Sequence, residues 1–104
     1  MLHHIVLFRL QDKDGQTAQE LARAAKKRAE HLAEVIPGIA SLTACVGRNG
    51  ADPLNHHLML HGVFADDAAL RCYSVHPEHQ DFLAFLRGII APGGRACIDF
   101  DDET

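Results

Sequence analysis

Aromatic residues are scarce in this sequence. Its 104 residues include no tryptophan, one tyrosine and five phenylalanines. No apolar run approaches the roughly 20 residues that a membrane-spanning helix needs, and the first four residues have no basic region of the kind that opens a signal peptide. The formal net charge of −4 disfavours a polyanionic partner. We therefore expect neither membrane insertion nor nucleic-acid binding.

Cysteine is also rare, and its spacing indicates no crosslinked framework. Cys45, Cys72 and Cys97 are odd in number and form no C-x-x-C pair, which argues against a disulfide scaffold. Three reduced and mostly buried thiols are typical of a cytoplasmic protein, and this is the localisation that we predict. The composition, 47% apolar and 23% charged, fits one globular domain spanning residues 1–104.

The first half of the chain has the patterns of a strand, a helix and a second strand. Residues 2–10 are almost all apolar, and alternation places the even-numbered ones, His4 among them, on one face of a strand. Thr17 and Glu20 have the spacing of a capping box that begins a helix. The predicted buried stripe of this helix is mostly alanine: Ala18, Ala22, Ala25, Ala29, Leu32 and Ile36. Small residues allow either close packing on a sheet or room for a ligand, and both interpretations stay open.

The remaining patterns complete a small α+β fold. The predicted elements are strands at 39–46 and 56–64, helices from Asp66 or Asp67 to Tyr73 and from Pro77 to about Ile90, a turn at Pro92-Gly93-Gly94, a strand at Arg95–Phe100 and a solvated acidic tail at 101–104. With right-handed crossovers, this order predicts a four-stranded antiparallel sheet with helices on one face, the ferredoxin-like βαββαβ arrangement. The strands are apolar on both faces, so the uncovered face should meet the sheet of a second copy.

Titratable and aromatic groups concentrate at the break between the last two helices. Pro77 suits the first turn of a helix and forces His76 out of helical geometry. Helical spacing then places His79 on the same face as the apolar residues Phe82 and Leu86. We therefore predict that His79 points from the start of this helix toward the apolar interior.

Five segments of the chain, in this order, resemble one protein family. They are His4-Ile5-Val6-Leu7-Phe8-Arg9-Leu10, Ile36-Pro37-Gly38-Ile39, Gly47-Arg48-Asn49, Tyr73-Ser74-Val75-His76-Pro77-Glu78-His79 and Ile98-Asp99-Phe100. The family is the stress-responsive A/B barrel domain (Dabb), a group of dimeric α+β barrels, and the resemblance covers nearly the whole chain. It implies a homodimer joined through the open sheet faces. Most members have no assigned activity, and a minority resemble plant polyketide cyclases.

The resemblance to those cyclases implies a pocket between sheet and helices that is lined by His4, Tyr73 and His79. In such an enzyme a neutral His79 would remove a proton from carbon next to a carbonyl. Tyr73 would hydrogen-bond the carbonyl oxygen as it becomes negative, and His4 would orient the substrate or relay a proton. This apparatus suits aldol-type cyclisation or isomerisation and needs no cofactor. The alternative is a non-catalytic homodimeric stress-response or interaction module in which these side chains are structural.

The other histidines do not predict a metal site. His57 and His61 lie four residues apart, which on a strand separates them by about 13 Å. His3 and His4 point to opposite faces, and no cysteine or carboxylate lies at ligand spacing beside them, so we predict no metal. If His57 and His61 lie on the dimer face, protonation would weaken the dimer in acid. The alternative there is two hydrogen-bonded interface residues without a switch.

Overall fold

The elements follow one another in the predicted order. The computed structural model describes residues 1–102. Its elements are β1 (Leu2–Leu10), α1 (Ala18–Val35), β2 (Ile39–Val46), β3 (Leu58–Phe64), α2 (Asp67–Val75), α3 (Pro77–Arg87) and β4 (Ile90–Asp101). The strands form one antiparallel sheet in the order β2-β3-β1-β4. This order confirms the predicted ferredoxin-like βαββαβ arrangement of the α+β class, with β1 at the centre beside β3. No helix in this range is long and apolar enough to cross a membrane.

The helices pack on the face of the sheet that carries the even-numbered residues of β1. The predicted capping box begins α1: the Thr17 hydroxyl accepts a hydrogen bond from the Glu20 amide, and the Glu20 carboxylate accepts one from the Thr17 amide. The alanine stripe of α1 faces the sheet, and Ala22, Ala25 and Ala29 have no exposed surface. Small side chains therefore let this helix lie close to the strands, which decides between the two interpretations that the sequence left open.

No helix within residues 1–102 covers the opposite face of the sheet. It carries the odd-numbered residues of β1 and their neighbours on the other strands, of which Ile98 is 59% exposed and Phe100 37% exposed. The ring of His3 stacks on Phe100 with centroids 4.8 Å apart, and its Nδ1 lies 2.8 Å from Nε2 of His61. This surface is called the open face below.

The last strand differs most from the prediction. β4 begins at Ile90, not at Arg95, because Pro92-Gly93-Gly94 forms a bulge inside the strand rather than a turn before it. Phe8 pairs with Arg95 and Leu10 with Ile90. An advance of two residues along β1 therefore corresponds to five residues along β4, which is the extra length that the bulge contains. A Cβ on Gly94 would lie 2.4 Å from the carbonyl oxygen of Arg9, and only glycine allows this close approach.

Smaller corrections concern other element ends. α3 ends at Arg87, three residues before the predicted end, where Gly88 caps it. β3 begins at Leu58, two residues later than predicted. His57 therefore precedes the strand, and its Nδ1 accepts a hydrogen bond from the Leu10 amide at 2.9 Å. It does not pair with His61 on the open face, where the acid-sensitivity hypothesis needed it.

The predictions for the cysteines and for the tail were wrong in part. All three thiols are exposed, not buried. Cys45 and Cys97 lie on β2 and β4, the two edge strands of the sheet, where little covers them. Asp102 is not a free tail residue, since its carboxylate contacts His3 and lies 3.1 Å from the amino terminus. The last two residues of the predicted tail, 103–104, lie outside the described range.

Candidate functional site

A cavity of about 450 Å³ lies between the sheet and the junction of α2 with α3. Most of the side chains around it are apolar, and a few titratable ones converge on it. The lining residues are His4, Val6, Phe8, Leu42, Leu60, Gly62, Tyr73, Ser74, Val75, His79, Gln80, Phe82, Leu83 and Arg95. All three residues predicted to form a site, His4, Tyr73 and His79, are among them. α1 contributes none, in agreement with its role as a packing element.

The junction between α2 and α3 directs the polar side chains into the cavity. His76 has extended backbone angles, φ −63° and ψ 136°, between two helical segments. Its Nδ1 accepts a hydrogen bond from the Glu78 amide at 3.1 Å and so caps α3, whose first residue is Pro77. The break was predicted from Pro77 alone. It turns the start of α3 so that His79 faces the cavity, as expected from its spacing.

His79 has one engaged and one unengaged ring nitrogen. Nδ1–H donates a hydrogen bond to the carbonyl oxygen of Ser74 at 3.0 Å. Nε2 has no partner within residues 1–102, so its lone pair is available in the cavity. Burial lowers the pKa of His79, and the nearby charges of His4 and His76 lower it further, against the Ser74 hydrogen bond, which raises it. The ring therefore stays neutral and basic at neutral pH.

Tyr73 lies directly against His79. The two ring centroids are 4.2 Å apart, and the other side of the phenol packs on Phe64 at 5.2 Å. Burial raises the pKa of Tyr73 to about 12, so the phenol keeps its proton at neutral pH. The hydroxyl has no hydrogen-bond partner in the described part of the chain, yet that part contains no buried side-chain polar atom without a partner. The hydroxyl must therefore be reached from the cavity, where it can donate to a ligand.

His4 is held from the opposite side, by the edge strand β4. Its Nδ1 lies 2.5 Å from Oδ1 of Asp99 and 3.7 Å from the sulfur of Cys97. The carboxylate favours the tautomer with hydrogen on Nδ1, which leaves Nε2 as an acceptor. The three predicted residues thus lie around one cavity, two of them with a ring nitrogen that no described protein group engages.

Sequence reasoning missed several residues of this region. Gly62 pairs with His4 and lines the cavity, and a Cβ there would lie only 2.7 Å from the ring of Phe64. Arg95 lines the same cavity and carries the only permanent charge among its described lining residues. Cys97 and Asp99 approach His4 only through the pairing of β1 with β4. A register argument between the first and last strands is the signal that could have found them.

The chain has relatives among known sequences and structures. A sequence profile of the stress responsive A/B barrel domain, Dabb, matches residues 2–102. A dimeric ferredoxin-like protein of unknown function from Bacteroides fragilis is 24% identical, with a TM-score of 0.81 over 96% of this chain and 94% of that one. A Dabb family protein from Mesorhizobium loti is 21% identical, with a TM-score of 0.72 over 96% and 94% of the two chains.

A third similar structure is an enzyme. It is SnoaB, a cofactor-independent oxygenase from Streptomyces nogalater, 14% identical with a TM-score of 0.72 over 99% of this chain and 93% of that one. No curated protein sequence matches the chain. At these identities the likeness of the three structures establishes the fold and carries no residue roles.

Proposed function

The chain belongs to the stress-responsive A/B barrel domain family, and we propose that it binds a small carbonyl compound and moves a proton on the carbon next to the carbonyl. One observation carries this proposal. The unengaged Nε2 of His79 faces an apolar cavity beside the phenol of Tyr73, which has no described partner. A base and a hydrogen-bond donor are thus placed together in a mostly apolar cavity.

The two side chains divide the proton transfer between them. Nε2 of His79 takes the proton from the carbon, and the electron pair of that bond moves onto the carbonyl oxygen. The Tyr73 hydroxyl donates a hydrogen bond to this oxygen as its negative charge grows. The enolate carbon then either attacks a second carbonyl of the substrate or takes the proton back at another carbon of a conjugated system. In the first case a carbon–carbon bond forms, the protonated His79 gives its proton to the new alkoxide, and the result is an aldol-type cyclisation. The second case is an isomerisation. His4 orients the substrate or relays a proton.

The lining of the cavity favours one class of substrate. Apolar side chains from the sheet and from α3 surround most of the volume, which is within the usual range for a small-molecule site. Arg95 adds a positive charge at the β4 side. An aromatic or polyketide-like carbonyl compound with an acidic substituent fits this combination. The reaction needs no cofactor, and the fold is shared with a protein that is described as a cofactor-independent oxygenase.

Exchange of carbon-bound hydrogen for deuterium tests the proton transfer. Acetophenone in deuterated buffer serves as the probe, because the hydrogens of its methyl group exchange slowly without a catalyst and are resolved by NMR. The protein should accelerate their loss, His79→Gln should remove the acceleration, and Tyr73→Phe should reduce it by about 10- to 100-fold. His31→Gln is the matched control, since His31 is exposed on α1, and it should behave as the unsubstituted protein.

The same variants also define the results that would contradict the proposal. If the His79→Gln protein, folded by circular dichroism, exchanges the methyl hydrogens as fast as the unsubstituted protein, then His79 is not the base. If neither protein exceeds the buffer rate with acetophenone, mass spectrometry of compounds that copurify with the protein supplies the next probe. A copurified compound without a carbonyl group would overturn the assigned substrate class.

A second candidate function is supported by the open face. An apolar sheet surface that includes Ile98 and Phe100 favours a homodimer, and the Bacteroides fragilis relative is described as dimeric. We infer a cytoplasmic homodimer, with exposed thiols that suit a reducing compartment. In its simplest form this dimer is a non-catalytic stress-response or interaction module. A dimer whose cavity binds no compound and exchanges no hydrogen would favour the module over the enzyme.

The dimer has one feature that acid should affect. His3 and His61 lie in contact on the open face, with Asp102 and the amino terminus beside His3 and Thr43 opposite His61. Two protonated imidazoles 2.8 Å apart repel each other, and a dimer joined through this face would remove solvent from both charges, which costs more than in the single protomer. Sedimentation at about pH 5 should therefore show less dimer than at about pH 8. Equal dimer fractions at both values would rule out this sensitivity.

A further inference from the structure

Three side chains from the first and last strands bring metal-ligating atoms together beside the cavity. They are Nδ1 of His4, the sulfur of Cys97 and a carboxylate oxygen of Asp99, all within 4.8 Å of one another. The sulfur lies 3.7 Å from Nδ1 and 3.8 Å from Oδ1, and the nitrogen lies 2.5 Å from the oxygen. A ring nitrogen, a thiol and a carboxylate are the three ligand types that Zn²⁺ prefers.

The antiparallel register explains why these groups converge. His4 is paired directly with Asp99, and Val6 with Cys97, so the three side chains share one face of the sheet. They lie at its outer edge, because β4 is an edge strand. Cys97 and Asp99 are exposed there. The group is therefore accessible to an ion from solvent, while the ring of His4 also lines the cavity.

The sequence predicted no metal because no cysteine or carboxylate lies near His4 along the chain, but strand pairing brings Cys97 and Asp99 beside it. We propose that His4, Cys97 and Asp99 form a site for a divalent transition-metal ion of the zinc type, with at least one coordination position open beside the cavity. Bond lengths of about 2.0–2.3 Å in a tetrahedron place neighbouring ligand atoms roughly 3.4–3.6 Å apart. Both sulfur distances, 3.7 and 3.8 Å, are slightly longer than this spacing. The nitrogen and oxygen lie closer because a proton now joins them, and an ion that replaces this proton requires them to separate by about 1 Å.

A catalytic thiol is the competing interpretation of the same cluster, and the electrostatics disfavour it. The Cys97 thiol is exposed only in part, and its partial desolvation together with the charge of Asp99 raises its pKa, whereas a nucleophilic cysteine needs a lowered one. The positive charge of Arg95 acts in the opposite direction on the pKa of the same thiol and is outweighed. A divalent cation relieves the repulsion between carboxylate and thiolate, and so suits the cluster better than an unassisted thiolate does.

An ion at this site would change the ring that faces the cavity. Metal coordination at Nδ1 requires the hydrogen of the neutral His4 ring to lie on Nε2, so an acceptor becomes a donor. A substrate would then meet a hydrogen-bond donor at His4 and a Lewis acid close by. This inference goes beyond the proposed proton transfer and does not depend on it, because His79 and Tyr73 act without an ion.

Cobalt(II) is the probe for this site, because tetrahedral thiolate ligation gives visible d–d bands and a near-ultraviolet charge-transfer band. The reduced full-length protein should show both on titration with Co²⁺, and excess Zn²⁺ should remove them. Cys97→Ser should abolish the charge-transfer band, and Asp99→Asn should weaken binding by on the order of tenfold or more. The matched control replaces the other two exposed cysteines, Cys45→Ser with Cys72→Ser, and should keep both bands.

Each other outcome overturns the proposal. Loss of the charge-transfer band in the Cys45→Ser, Cys72→Ser protein with retention in Cys97→Ser would place the ion elsewhere. Octahedral spectra without a thiolate band would show adventitious binding by the histidines. Circular dichroism confirms that each variant is folded, which we expect because Cys97 and Asp99 are exposed. The readout is spectroscopic, so failure here leaves the deuterium-exchange test unaffected.

Discussion

One face of the sheet is buried beneath the helices, and the other is exposed to solvent in the single chain. On the covered face, Phe64 and Leu58 are fully buried, and α1 packs closely through its alanines. On the open face, the hydrophobic residues Ile98 and Phe100 remain exposed in the single chain. The apolar residues of the covered face are buried by the helices of the same protomer, whereas the open face has apolar surface that only another molecule can cover.

The covered face also contains a region where packing is incomplete and titratable side chains meet a cavity. Where α1 lies on the sheet, small residues bring backbones together and leave no room. Where the junction of α2 and α3 lies on the sheet, His79 and Tyr73 border a cavity over Gly62. The comparison teaches that close packing and the candidate site occupy different ends of the same face, and that the proposed dimer contact occupies the other face.

The largest expected effect comes from breaking the covered face at Phe64. Its ring is completely buried and contacts Tyr73. We expect Phe64→Ala to lower the free energy of unfolding by about 3–5 kcal/mol, because it removes a large apolar side chain and leaves a void. Urea denaturation followed by circular dichroism measures this loss. Phe64→Leu should cost distinctly less, and equal costs for the two variants would contradict a tightly packed site.

The next largest effect should come from a substitution on the open face, which should weaken dimerisation and leave the folding of the protomer unchanged. Ile98 is 59% exposed in the single chain, so Ile98→Asp leaves the fold of the protomer intact. In the proposed dimer it introduces an unpaired charge into an apolar contact, at a cost of about 3 kcal/mol, or more than a hundredfold in the dissociation constant. Sedimentation velocity measures the fraction of dimer, and Ile98→Val serves as the control. An unchanged dimer would show that this face is not the interface.

The burial of Tyr73 can be measured without any substitution. The chain has one tyrosine and no tryptophan, so the near-ultraviolet absorption of phenolate reports this residue alone. In the folded protein its pKa should be about 12, compared with about 10 for an unfolded chain in urea. Circular dichroism at each pH confirms that the protein is still folded. A titration near the unfolded value would mean that the phenol is open to solvent.

The smallest expected effect concerns acid and His79. The pKa of His79 is lowered by folding, so below about pH 6.5 the unfolded chain binds more protons than the folded one. Stability is therefore complete above that pH and falls as the pH drops toward the folded pKa. Replacing the ring by the neutral amide in His79→Gln should remove this loss, which stays below about 1 kcal/mol because solvent screens a half-exposed ring.

Unfolding in urea at several pH values tests this prediction. The difference in stability between the unsubstituted protein and His79→Gln should change between neutral pH and about pH 5. If His79→Gln lost as much stability in acid as the unsubstituted protein, His79 would not be desolvated.

Most of the architecture could be predicted because local patterns determine it. The alternation of β1, the Thr17–Glu20 capping box and the proline after His76 each fixed an element through interactions within a few residues. The bulge in β4 could not be predicted in this way. Pro92-Gly93-Gly94 has the composition of a turn, and only the approach of the Arg9 carbonyl keeps this segment inside the sheet.

The same distinction between local and long-range interactions applies to the residues of the candidate site. By itself, the sequence determined that His79 points inward and that Tyr73 and His76 lie at a helix break, because helical spacing and proline geometry are local. The position of His4 across a cavity from them followed from the family resemblance and not from any local pattern, and the tertiary structure alone decided that Cys97 and Asp99 lie beside His4. The physical reason is that the partners of an edge strand depend on its register, and register is set by contacts between segments more than 90 residues apart.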